Sequence, residues 1–255
     1  MADTSVTQPT PTPFGTKALI AVACAALILC IGMGIRQSFG LFVTPISSDL
    51  ELGRTVFSLA LAIQSIVWGI SQPFAGAIAD KYGAGRVVAI SGLLYAAGLA
   101  LASISSDPAA LYLSIGLLIG LGLSGTTFAV VLGAVGRLVP ENRRALALSI
   151  TTIGGSIGMF ALIPIGQTLI ASMGWVQAVL MLSVLAALGI VLACALAGDP
   201  NEGAPAAQKQ SLSEAIVEAR GHSGFWLLTI GFFVCGFHVT FIAVHPPPRS
   251  SAIRA

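Results

Sequence analysis

Charge is what this chain has least of. Only 9% of its 255 residues are Asp, Glu, Lys or Arg, against about a quarter in a typical soluble domain, so water cannot be the main solvent for its surface. The formal net charge of +2 and the lack of a basic patch interleaved with aromatics exclude nucleic-acid binding by bulk electrostatics. Cysteine is scarce as well. The four, Cys24, Cys30, Cys194 and Cys235, lie inside apolar runs without a CxxC pair or a histidine at ligand spacing, so no metal site, redox motif or cofactor is expected. They read as small buried hydrophobes.

What the chain has instead is apolar length. Residues of the AVILMFWYC set make up 56% of it, arranged in runs of about 17 to 25 residues, the length that spans a hydrocarbon core as a helix. The runs place spans at 17–43, 56–79, 87–105, 109–135, 145–171, 175–197 and 224–244. The fold class is all-α, a polytopic membrane protein. Its first 16 residues, rich in Thr and Pro, read as a disordered tail rather than a signal peptide. A six-helix bundle over 17–198 follows, then a polar linker over 199–223, a seventh helix over 224–245 and a Pro/Ser/Arg tail over 246–255.

Lys and Arg resist translocation when they lie in short loops. With the N-terminus inside, Lys17, Lys81, Arg86, Arg137, Arg143, Arg144, Lys209 and Arg220 are cytoplasmic, and only Arg54 precedes the tail on the other side. A cytoplasmic N-terminus is expected. In the linker, Ser211 and Glu214 have capping-box spacing before Leu212, Ile216 and Ala219 alternating with Glu214, Glu218 and Arg220. A short amphipathic helix on the membrane surface and a solvated linker helix both fit.

Small residues recur at four-residue intervals at Gly32, Gly40, Gly116, Gly120, Ser124, Gly154 and Gly158, marking faces on which helix backbones approach closely in lipid. Arg36 shares such a face with Gly32 and Gly40, about two turns inside the first span, where an unsolvated charge costs several kcal/mol. It reads equally as the countercharge of an anionic substrate or as a snorkelling, structurally paired arginine. Gln37 and Ser38 could add donors. Gln64, Trp68 and Gln72 form a polar stripe at i, i+4 and i+8 beside Ser71, which either lines a cavity or bonds a neighbouring helix. His238 and His245 share a face of the last span. No Asp or Glu lies within any span, so no carboxylate proton relay is expected.

Two strings look enzymatic. The run from Gly154 to Gly158 fits G-x-S-x-G at Ser156, but that motif needs a strand-turn-helix elbow that a spanning helix does not supply. Gly122 to Gly125, with Ser124, resembles the serine motif of rhomboid intramembrane proteases, with His238 as a formal base; the second span lacks histidine and no packing motif follows His238. An intramembrane serine protease stays a remote alternative, and no enzyme activity is expected. A retinal protein is excluded, because the only lysines are Lys17, Lys81 and Lys209.

The segment Gly76-Ala-Ile-Ala-Asp80-Lys81-Tyr-Gly83-Ala-Gly-Arg86 resembles the G-x-x-x-D-[RK]-x-G-R-[RK] loop of the major facilitator superfamily of secondary transporters. In it Gly76 would allow close helix contact, Asp80 would meet a basic group or a helix N-terminus, and Gly83 would turn the chain. Ala84 and Gly85 stand where the family carries a basic pair. The glycine-rich fourth span from Gly120 to Gly125, the loop Pro140 to Arg144, Pro164 in the fifth span and Gly174-Trp175 agree with that family. The runs Gly34 to Gly40 and Ala62 to Gly69 resemble bacterial members grouped with the oxalate/formate and monocarboxylate transporters, which implies a bacterial inner membrane.

That resemblance implies the N-terminal six-helix half of the fold, built as two inverted three-helix repeats, plus one further helix and a premature end near His245. It also implies alternating-access transport of a small organic anion such as a mono- or dicarboxylate, bound by Arg36, Gln37, Gln64, Gln72 and more distantly His238. The partners expected are that small molecule, the lipid bilayer, and a second copy or a separately encoded C-terminal half. A non-transporting membrane scaffold or inactive fragment is the alternative.

Overall fold

The computed structural model describes residues 15–197, 217–218 and 220–244. Every regular element among them is helical: α1 (Thr16–Asp49), α2 (Arg54–Tyr82), α3 (Ala84–Ser103) and α4 (Pro108–Leu138). The helical run Glu141–Ala193 is broken by Gly174 at φ 82° and ψ 169° into α5 (141–173) and α6 (175–193). A single 3-10 turn, Cys194–Leu196, closes α6, and α7 (Ser223–Val244) stands apart after the linker. Five helical stretches are long and apolar enough to cross a bilayer, and the last of them contains both α5 and α6. The 22 residues of α7 extend about 33 Å at the helical rise, enough to cross as well.

Residues 1–14, most of the linker with Ser211, Leu212, Glu214, Ile216, Ala219 and Lys209, His245 and the 246–255 tail lie outside the described residues. Two boundaries differ from the apolar pattern. The first helix continues past 43 to Asp49 through Pro45, although an interior proline removes a backbone hydrogen bond. Burial of Phe42 and Ile46 and the bond from Trp175 Nε1 to Asp49 Oδ2 at 2.8 Å hold the extra turn. The fourth span is not one regular helix. Asp107 caps its start by accepting from Ala110 N–H at 2.9 Å, Tyr112–Leu118 is wound as a π segment, and Thr127 is extended at φ −110° and ψ −170°.

Glycine contacts give the helix directions. A Cβ built on Gly154 would lie 2.5 Å from Ala26 O, one on Gly158 would strike the Cys30 carbonyl, and one on Gly34 would lie 2.5 Å from Gly158 O. The partners advance together, so α1 and α5 run parallel. Gly116 meets Ile63 and Gly120 meets Val67, so α2 and α4 run parallel too. Gly85 meets Ala193, Gly92 meets Ile190, and Ser183 Oγ donates to Ala96 O at 2.8 Å, which makes α3 and α6 antiparallel.

Exchanging α1–α3 with α4–α6 therefore maps the α1/α5 pair onto α4/α2 and the α3/α6 pair onto itself. That is the pairing of two inverted repeats. The repeats also share their turn. Gly83 (φ 96°) joins α2 to α3 and Gly174 (φ 82°) joins α5 to α6, a backbone region open to glycine at little cost. Pro73 and Pro164 each stand ten residues before that glycine.

Candidate functional site

Beside these pairs lies a cavity of about 730 Å³ reached by α1, α2 and α7. Its polar wall is Arg36, Ser58, Ser65, Trp68 and Gln72; Leu61, Ile66, Phe232 and Phe237 are among its apolar lining. A second cavity of about 570 Å³ shares Gly69 and Gln72 and continues past Pro73 and Gly76 to Phe128 and Leu132. One face of α2, from Ser58 to Gly76, thus borders open space along most of its length.

Arg36 is brought there because its neighbours on α1 are committed to packing: Ile35 is fully buried and Gly34 abuts Gly158. The guanidinium carbon sits 4.7 Å from the centroid of the Trp68 ring. Among the described residues its buried Nε has no hydrogen-bond partner. A cation over an indole gains about 0.5–2 kcal/mol, whereas holding an unpaired charge within a membrane costs about 2.5 kcal/mol or more. The ring alone does not offset the charge.

Trp68 is itself held from behind. Its Nε1 donates to Thr127 Oγ1 at 3.1 Å, and Gln72 Nε2 donates to the same oxygen at 3.3 Å. Thr127 is fully buried, and it is the residue at which α4 leaves helical geometry. Sequence reasoning missed it. The signal available was Gly125-Thr126-Thr127 ahead of Phe128 in an otherwise apolar span, where β-branched residues after glycine weaken a helix.

The other expected site residues fall elsewhere. Gln64, on the same stripe, is 2% exposed with an unpartnered Nε2, at the contact with Gly120 of α4. It is buried and lies outside the lining of the cavity. Gln37 is half-buried and His238 is exposed on α7; neither borders the cavity. Ser124 is buried and donates to Leu121 O at 2.7 Å, with His238 out on α7, so the arrangement has no nucleophile-base pair of the kind a serine protease needs. Ser156 is exposed on the uninterrupted α5, not on an elbow.

Among the packing glycines, Gly32 faces the Thr126 carbonyl at 3.4 Å, and Gly116, Gly120, Gly154 and Gly158 each have a neighbour too close for a side chain. Gly40 is half-buried. In the α2–α3 loop, Asp80 Oδ1 accepts from Arg137 at 2.5 Å, with the two side chains 68% and 27% exposed. Lys81 lies over the Tyr82 ring and Arg86 is exposed. Among the described residues nothing lies within 4 Å of a Cβ built on Gly76, which borders the second cavity. The departure at Gly85 has a packing cause, since a Cβ there would lie 2.9 Å from Ala193 O and from the Ala197 backbone.

An all-helical membrane bundle of inverted repeats, with a lone arginine in an intramembrane cavity, defines the class of the secondary transporters. Residues 22–248 match the Major Facilitator Superfamily, and the chain belongs to that family of transporters; it is not an enzyme. It is 31% identical over 232 residues to monocarboxylate transporter 13 of Bos taurus, covering 89% of this chain and 54% of that protein. To monocarboxylate transporter 11 of Homo sapiens it is 29% identical over 245 residues, 91% of this chain and 50% of that one. The oxalate:formate antiporter of Oxalobacter formigenes is 23% identical over 236 residues, 90% and 54%. The chain spans about half the length of these relatives.

Proposed function

We propose that this chain forms one half of an alternating-access carrier for a small organic anion, a mono- or dicarboxylate, with Arg36 as the countercharge. The observation that carries the reading is the buried Arg36 Nε without an acceptor, on a guanidinium that borders the cavity. Gln72 adds a donor from the same wall. The relatives named as monocarboxylate and oxalate:formate carriers support the same substrate class.

In this reading the Lys/Arg bias puts the N-terminus in the cytoplasm of a bacterial cell, with the chain in the inner membrane. Alternating access needs a second bundle that closes over the cavity, either a second copy of this chain or a separately encoded half, and α7 begins such a half. The test is calorimetric titration of pyruvate, formate and oxalate into the chain in lipid nanodiscs. Binding to the unaltered chain is expected, and Arg36→Ala should weaken it by about tenfold to a hundredfold, the worth of one charge-assisted hydrogen bond. Undiminished affinity in that variant overturns the anion reading.

A further inference from the structure

The second part of α4, Phe128–Leu138, is eleven residues long and about 16 Å from end to end. It is fastened to α2 at both ends. At its start Thr127 Oγ1 accepts from Trp68 Nε1 and Gln72 Nε2; at its far end Arg137 donates to Asp80 Oδ1. Between these points α2 and the segment border the second cavity, with Gly69, Pro73 and Gly76 on one side and Phe128, Ala129 and Leu132 on the other.

We propose that Phe128–Leu138 is a strut pinned to α2 at its two ends, and that Thr127 is the positioning residue through which the Asp80–Arg137 pair and the Arg36 cavity act on one another. The break is what makes the strut a separate body. At Thr127 the backbone is extended, so the helix after it restarts with the bond from Val131 N–H to Thr127 O at 3.2 Å. No i to i−4 ladder runs through the break to lock the segment to the first part of α4. Val130, Val131, Ala134 and Val135 pack one face of it into the core, and its register along α2 is set by the bonds at its two ends.

A hydroxyl oxygen has two lone pairs, and here both are occupied by α2 donors. Gln72 has a second N–H that can face the cavity, and Trp68 carries the Arg36 guanidinium on its ring. Whatever occupies the cavity thus pulls on groups that also hold Thr127. Conversely, the Asp80–Arg137 pair is exposed and adds at most about 1 kcal/mol of stability. Its physical effect is registration, fixing where the strut ends along α2, and hence where Thr127 presents its oxygen to Trp68. The proposal needs the cavity but not an anion in it, so it stands or falls apart from the anion reading.

The test uses the full chain in nanodiscs without ligand, in a Trp175→Phe, Trp226→Phe background so that Trp68 is the only tryptophan, excited selectively at the red edge where tyrosine does not absorb. Asp80→Asn and, separately, Arg137→Gln should red-shift the Trp68 emission from about 16 Å away. Each should also speed amide exchange of the peptide covering 131–138 by about two- to fivefold. Thr127→Val should produce the same red shift, Thr127→Ser should restore the native spectrum, and Thr127→Val with Asp80→Asn should shift no further than Thr127→Val alone. Unchanged Trp68 emission in both pair variants, or additive shifts in the double variant, overturns the proposal. Asp80 is on the surface, so its variant keeps the test alive if Thr127→Val fails to fold.

Discussion

The α1/α5 and α2/α4 pairs occupy equivalent places in the two repeats, yet they are built differently. Between α1 and α5 the contact is backbone on backbone, with Gly34, Gly154 and Gly158 each meeting a main-chain carbonyl of the facing helix. Between α2 and α4 the glycine contacts are close at Gly116 and Gly120; beyond them, at Gly69 and Gly76, no atom among the described residues lies within 4 Å of a built Cβ, and polar side chains meet at Trp68, Gln72 and Thr127. Glycine has two uses here. In the first pair it welds helices in a solvent that offers no hydrophobic push between them, and in the second it keeps space clear beside a cavity.

The largest effect expected from this contrast is at the weld. Gly158→Ala places a methyl group against the Cys30 carbonyl, and neither backbone can retreat without moving a whole helix, so a loss of about 3 kcal/mol or more is expected, at the upper end of overpacking costs. A monodisperse, thermally unaltered Gly158→Ala protein in size-exclusion and melting assays would break the comparison.

Arg36→Ala should show the opposite pattern, with affinity for carboxylates lost as stated above while the melting temperature holds or rises, because a poorly compensated charge is removed. Smaller again is Thr127→Val, which removes the acceptor shared by two half-buried donors on α2. A loss of about 1 kcal/mol is expected, read as a lower melting temperature that Thr127→Ser recovers. Least of all, Gly69→Ala and Gly76→Ala should be neutral or stabilising by up to about 1 kcal/mol, since alanine is the better helix former and meets no neighbour there. A strong destabilisation by either would mean that the α2/α4 pair is welded as well.

Much of this was legible in the chain. The long apolar runs, the weld glycines Gly154 and Gly158 and the intramembrane Arg36 each show in residue type and spacing, and the motif resemblance marks Gly83 as a turn; the matching turn at Gly174 shows only in the structure. Gln64 and Gly76 sit in surroundings that their spacing does not show. Spacing puts Gln64 on one stripe with Trp68 and Gln72, but a stripe has width, and Gln64 is buried while the other two line the cavity. Gly76 was expected at a helix contact because of its motif, yet it borders a cavity.

Residue type and order by themselves determined that the chain crosses a membrane as helices and roughly where each crossing starts and stops. Hydropathy and the burial of backbone polar groups are summed along the chain, one local window at a time. Only the tertiary structure decided which polar residues share one cavity, where α4 breaks, and which glycines touch a neighbour. Those depend on how residues far apart in the chain meet, as when Thr127 Oγ1 meets Trp68 Nε1 across 59 positions, and no local window contains both partners.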